Sequence, residues 1–394
     1  MRLVGTTVRG IRTPIIKEND DLASIVVDSV INASESEGFN FKDKDIIAIT
    51  EAVVGISEGN YVTVDNIVSD LNAKFPSKEI GIVYPILSRN RFSMILKAIA
   101  RAMDKVTILL SFPSDEVGNG IMDENLLSAS PFNLGSLISE EDYEKYFGTF
   151  IHPFTGINMV DYYRDLVKSE NCDVEFVFSN NPSDILKYTN NVLTCDIHSR
   201  FKTKKVLSEQ SAFVLSLSDI LNESVGGSGF NPDYGLLGSN KSTDERLKLF
   251  PKDGASLVLK IKDEMFKRTG KNFEVMVYGD GAFKDPVGGI WELADPVVSP
   301  FYTEGLKGTP NEIKLKYVSD NMFADLRGDE LKDAIKEEIK KKDNDLKGQN
   351  VSLGTTPRRI TDLVGSLCDL TSGSGDKGTP VVLVQGYFDN LADE

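Results

Sequence analysis

The sequence predicts a mixed α/β fold in two parts. A discontinuous domain is expected over residues 1–78 and 223–394, and an inserted, mostly parallel α/β module over 79–222. Two observations carry this expectation. Between 79 and 222, strands that are apolar throughout alternate with helices, which is the pattern of a parallel sheet covered on both faces. Before and after that stretch the alternation is irregular, and Gly226-Gly227-Ser228-Gly229 breaks it outright. A chain of 394 residues, 40% hydrophobic and 26% charged, is also long enough to bury two or three ordinary soluble cores.

The elements follow in order. Leu22, Ile25, Val26, Val30 and Ile31 fall on one face of a helix over 20–34, with Asp20 or Asp21 as its cap. A strand follows over 45–50, centred on Ile46 to Ile49, then a helix after Thr63 carrying Val64, Ile67, Val68 and Leu71. The inserted module reads as strand 80–84, helix 92–103, strand 106–112, strand 174–178, a helix from Pro182, strand 192–197, a helix near 200–208 and strand 213–217. Beyond it come a helix over 245–268, strand 273–278, a charged helix over 329–349 that reads as a solvated surface, an amphipathic helix near 360–370 and strand 380–385.

Charge and composition exclude several function classes. Lys plus Arg is 44 against 60 Asp plus Glu, a formal charge of −16. So acidic a chain repels nucleic-acid phosphate and anionic membranes unless it carries a basic patch. Its densest lysine cluster, Lys340 to Lys342, sits among Glu337, Glu338, Asp343 and Asp345. Three cysteines without CxxC spacing argue against a disulfide framework or a Cys-based zinc site. His152 and His198, the two histidines, are far apart in sequence. No signal peptide and no stretch of 18 apolar residues is read, so the expected address is the cytoplasm.

Two segments could carry chemistry. In the GSGDKG loop (373–378), successive glycines let backbone N–H groups turn toward an anion, although the helix–loop–strand order is not that of a Walker loop; a plain connecting turn is the other reading. Gly279-Asp280-Gly281 places a carboxylate at the end of a buried strand, which suits Mg²⁺, but an Asp-Gly turn needs no ligand. His198 beside Asp196 lies along one strand with no matched nucleophile, and Cys195 reads as packing.

Taken in order, the segments VRGIRTPIIKENDDLASIV (8–26), KDKDIIAITEAVVGISEG (42–59), YGLLGSN (234–240), VMVYGDG (275–281) and SGSGDKGTPVVLVQG (372–386) resemble the gamma-glutamyl ligases that extend the deazaflavin coenzyme F-420-0. The matching parts make up about two-fifths of the chain, and 79–222 looks like an insertion larger than the family's usual one. The resemblance implies a ligase that joins glutamate to a small-molecule carboxylate, using Mg²⁺ or Mn²⁺ with GTP or ATP, and working as a homodimer. It also implies that Thr13, Pro14, Ile15 and Ile16 form a nucleotide-contacting turn and that Asn240 lies beside the nucleotide. Asp280 would bind metal, and Gly373, Ser374, Gly375 and Gly378 belong to a terminal phosphate loop.

Several positions depart from the family pattern. Leu237 stands where a metal-binding Asp is expected, Gly281 for a Thr, Ser374 for a Glu or Gln, and Ile56 for a Lys; Glu51-Ala52 replaces a Ser-Thr type pair. Glu51 or Asp376 could restore the missing negative charge. Two functions lead: a nucleotide- and metal-dependent glutamyl ligase on an unknown carboxylate, or a non-catalytic binding or regulatory protein on the same scaffold; a third is an unrelated enzyme with its ligand at the strand ends of the 79–222 module.

Overall fold

The computed structural model describes residues 3–153, 155–210, 212–279, 282–284, 291–293, 298–352, 358–372 and 376–393, with the side chains of 282–284, 291–293 and 298 left aside. In chain order the strands are β1 (Thr7–Ile11), β2 (Ile46–Thr50), β3 (Tyr61–Thr63), β4 (Glu79–Val83), β5 (Lys105–Leu110), β6 (Ile138–Ser139), β7 (Asp173–Phe178) and β8 (Asn191–Thr194). They continue with β9 (Phe213–Ser216), β10 (Asn240–Thr243), β11 (Arg246–Lys248), β12 (Glu274–Gly279), β13 (Ala282–Lys284), β14 (Trp291–Leu293), β15 (Val298–Tyr302) and β16 (Val381–Gln385). Four helices matter most below: α1 (Leu22–Glu37), α2 (Glu51–Ser57), α3 (Val64–Lys74) and α4 (Phe92–Ala102). The fold is mixed α/β, as the sequence predicts.

A five-stranded sheet of order β1-β16-β2-β12-β15 holds the first core. Its central strand β2 is apolar on both faces because both faces are covered. Ile47 and Ile49 pack with Val26, Val27 and Val30 of α1 and with Val258 and Ile261 of the helix Gly254–Thr269. Ile46 and Ala48 face the other way, against Val364 and Cys368 of the helix Ile360–Ser372. Burying each such aliphatic side chain contributes about 1.5–3 kcal/mol. Helix α1 starts where the Asp21 side chain accepts the Ser24 N–H, and stops where Gly38, at φ +70°, turns left-handed and donates to the Ser34 carbonyl.

The second sheet has order β6-β7-β5-β4-β8-β9. All neighbouring pairs are parallel except β6 with β7. The chain winds outward from β4 through β5 to β7, then returns to lay β8 and β9 on the other side of β4. Its apolar core is continuous with elements outside residues 79–222. Helix α3 buries Val64, Ile67 and Leu71 against it, and Leu237, Leu247 and Leu249 belong to the same cluster. A capping box starts α3: Thr63 and Asn66 exchange side-chain and backbone hydrogen bonds.

Two sequence expectations are corrected here. The helix expected over 245–268 begins only at Gly254, because Arg246–Lys248 is instead a strand between β10 and β3. The charged helix expected over 329–349 spans Gly328–Lys341, its Ile335 and Ile339 buried on a small core with Val318.

Candidate active site at one edge of the five-stranded sheet

Strand direction gathers distant segments at one edge. Strands β2 and β12 run parallel, with Tyr278 opposite Thr50, so both end together and the chain leaves β12 at Gly279. Strand β16 runs antiparallel to β1 and β2, so its first residue, Val381, lies opposite both Ile11 and Ile49. Two hydrogen bonds tie the strand ends across the gaps. The Thr13 N–H donates to the Gly378 carbonyl at 3.3 Å, and the Thr50 N–H donates to the Pro380 carbonyl at 3.0 Å. Neighbouring strands lie about 4.8 Å apart, so β1, β16, β2 and β12 bring their ends within about 15 Å along this edge.

The same edge carries a buried ion pair. Glu51, the first residue of α2, faces the Lys248 ammonium at 2.6 Å, and their side chains are 10% and 7% exposed. Lys248 reaches it from β11. Asn60, fully buried, fixes that approach: its side-chain amide donates to the Phe250 and Phe230 carbonyls at 2.8 and 3.0 Å, and its own carbonyl accepts the Leu249 N–H at 2.8 Å. Gly55 of α2 leaves room for this packing, since a Cβ there would lie 2.9 Å from the Leu249 carbonyl oxygen and 3.3 Å from Lys248 Cδ. Only glycine fits without moving backbone.

The sequence-predicted residues are placed as follows. Thr13 is half-buried at the edge, its hydroxyl donating to the Pro14 carbonyl at 2.9 Å. Pro14 is exposed, Ile15 is 88% exposed, and Ile16 turns inward onto the α1 core. Gly378, at φ +65°, is exposed and joined to Thr13. Asn240 opens β10 directly opposite Lys248 in an antiparallel pair, so the two side chains share a face. Asp280, Gly281, Gly373, Ser374 and Gly375 lie outside the described residues.

The departures from the family pattern also have structural settings. Leu237 is a core residue, 6% exposed, packed with the second sheet's apolar cluster. Ile56 packs on the α1 core. Glu51 does carry negative charge to this edge, but Lys248 takes it, and Asp376 is exposed. Among the described residues, no group of three His, Cys, Asp or Glu side chains could hold a metal ion. Away from this edge, the Asp196 carboxylate accepts the Ser199 and Thr203 hydroxyls, both at 2.6 Å, while the backbone N–H of His198 donates to Glu116 at 3.1 Å. Both contacts fix the turn after β8.

Sequence reasoning missed Lys248 and Asn60. Lys248 alternates with apolar Leu247 and Leu249, a pattern that points a lysine to solvent. Its buried partner is 197 positions away.

The structure is therefore a mixed α/β protein in which separate strand ends meet at one edge, beside a buried ion pair. The model of the F420-0:gamma-glutamyl ligase family matches residues 10–386, and the chain belongs to that family. The matched span runs through both sheets. No curated protein matches the chain. Among the described residues, no helix is long and apolar enough to cross a membrane.

Proposed function

We propose that this protein is a glutamyl ligase acting at the edge formed by Thr13, Thr50, Glu51, Gly279 and Gly378, on a small-molecule carboxylate with glutamate as the amine donor. The observation that carries this reading is the meeting of four strand ends at one edge in a chain of this family. A carboxylate is a poor acyl donor, so the reaction needs activation. One carboxylate oxygen attacks the terminal phosphorus of GTP or ATP, giving an acyl phosphate and the nucleoside diphosphate. The glutamate amine then attacks the acyl carbon. Inorganic phosphate leaves with the C–O electron pair, and the nitrogen gives up a proton as the amide forms.

The chain's own groups have defined tasks in this scheme. The Lys248–Glu51 pair is neutral overall and shielded from water, and its ammonium end would face the phosphoryl group at the edge. Backbone around Gly378 and the Thr13–Pro14 turn would position the anion, and Asn240 would orient the nucleotide from the face it shares with Lys248. Asp280 would hold Mg²⁺ or Mn²⁺, which would neutralise charge on the transferring phosphoryl group. Asp280→Ala should then abolish metal-dependent phosphate release, and the protein works as a homodimer in the cytoplasm.

A second reading has observations in its favour. The burial of Leu237 and the pairing of Glu51 with Lys248 leave the edge with few free carboxylates, as a non-catalytic binding protein would have. One experiment separates the two. The full chain is incubated with glutamate, a panel of small carboxylates, GTP or ATP, and Mg²⁺ or Mn²⁺. The ligase reading expects phosphate release together with a product heavier than the carboxylate by glutamate less water. Absence of nucleotide binding and of phosphate release with both metals favours the binding protein and ends the ligase reading.

A further inference from the structure

β1 is an edge strand of the five-stranded sheet, and beside it runs α1, whose apolar face shares a core with Ile11. Between them lies an open groove of about 900 Å³, within the usual range for ligand sites. One wall is the strand and turn from Arg9 to Pro14. The other is the α1 face carrying Ser29, Asn32 and Ser36, which are three and four residues apart and therefore side by side. The groove takes in Thr13, the residue bonded to Gly378, and so adjoins the strand ends described above.

Two guanidinium groups line this groove in a chain of net charge −16. Arg9 is held rigidly. It donates to Gln385 Oε1 at 2.7 Å and stacks 4.5 Å from the Phe39 ring centre, while Gln385 is itself fixed by the buried Asp45 carboxylate at 2.6 Å. Arg12 is exposed and has no ion-pair partner among the described residues. Glu37 is the one acidic side chain lining the groove, so its walls carry net positive charge. A cation fixed in place and a second one free, on a polar wall, form a recognition surface for an elongated anion.

We propose that this groove selects the acceptor of the ligation: Arg9 holds a second anionic group of the substrate while Arg12, next to Thr13, holds its reacting carboxylate. The proposal rests on the ligase reading. Four chain steps lead from Arg9 to Thr13, a span of at most about 13 Å. The acceptor is therefore an elongated carboxylate with a second anion up to about 13 Å from the reacting one, a length that glutamate itself does not reach.

The test is equilibrium binding by calorimetry to the full chain, without nucleotide or metal. The probes are decanedioate, an α,ω-dianion of comparable length, glutarate, which is too short, and decanoate, which lacks the second charge. Decanedioate should bind at least tenfold more tightly than either of the others. Arg12→Gln, an exposed substitution that leaves the fold intact, should weaken decanedioate roughly tenfold or more, and Arg9→Gln should weaken it further. Equal binding of decanedioate and decanoate, no binding of decanedioate, or an unchanged affinity in Arg12→Gln overturns the proposal. So does sedimentation equilibrium showing self-association that Arg12→Glu abolishes, since a second copy then fills the groove. Because no nucleotide is present, failure of the ligase assay with intact dianion binding removes the ligase reading alone, and the reverse result removes the groove alone.

Discussion

Replacing Lys248 by Met tests the buried ion pair at the candidate site. The 2.6 Å contact with Glu51 is nearly closed to water, with side-chain exposures of 7% and 10%. Met fills a similar volume but carries no charge, so Glu51 is left as a buried carboxylate without its cation. Breaking a buried pair by removing one partner costs about 3–5 kcal/mol, whereas an exposed pair is worth about 0–1 kcal/mol. The exposed Lys340–Glu337 pair, at 2.8 Å with both side chains more than half exposed, is the internal comparison. Urea unfolding followed by far-ultraviolet circular dichroism should show a loss of about 3–5 kcal/mol for Lys248→Met and no measurable loss for Lys340→Ala. The double variant Glu51→Gln/Lys248→Met should regain most of the loss, because no buried charge remains to be compensated. A loss below about 1 kcal/mol in Lys248→Met, or a double variant no better than the single one, would refute the argument that this charge pair is desolvated. In the ligase assay the double variant should stay inactive although its stability has returned.

Other consequences can be checked in the same way. Gly235 sits at φ +52° with room for no Cβ: the Ile220, Leu217 and Ser218 carbonyl oxygens would lie 2.5, 2.6 and 2.7 Å from it, so Gly235→Ala should destabilise by more than about 3 kcal/mol in urea unfolding. Thr63→Ala removes one half of the α3 capping box and should cost about 1 kcal/mol by the same measurement. Arg101 and Lys97 hydrogen-bond the Glu245 carboxylate and hold its pKa down at about 2, from a usual 4.5. A carboxylate depressed on folding adds stability above the higher value and loses it as pH falls toward the lower one. The stability difference between wild type and Glu245→Gln should therefore be greatest near neutrality and vanish as the pH falls from about 4.5 to about 2, and it should stay within about 1 kcal/mol because Glu245 is half exposed. A difference that grows on acidification contradicts this.

The legible parts of the fold were those set by local pattern. Ile46 to Ile49 could be read as a buried strand because both faces of β2 are covered, and α1 because Val26 and Val30 share a face and Asp21 caps it. Five strands of the second sheet were visible from their apolar runs, while the two-residue β6 was too short to give a pattern. Elements fixed by distant partners were not. Arg246–Lys248 has helix-compatible residues, yet β3 and β10 capture it as a strand. The site divided along the same line. Order in the chain pointed to residue 13 and the terminal loop, and the structure joins Thr13 to Gly378. Lys248 stayed hidden because alternation alone assigns a lysine between two leucines to solvent; only burial beside Glu51 and Gly55 shows otherwise. Leu237 shows the converse, since apolar packing explains that residue fully.

The most direct test follows an oxygen atom. With both carboxylate oxygens of an accepted substrate labelled as ¹⁸O, activation by phosphoryl transfer at this edge must carry one labelled oxygen into inorganic phosphate and leave the other in the amide. Mass spectrometry of phosphate formed in the presence of glutamate should show a single ¹⁸O per turnover. Phosphate that carries only solvent or nucleotide oxygen would show that water, and not the carboxylate, meets the nucleotide, and would contradict the account.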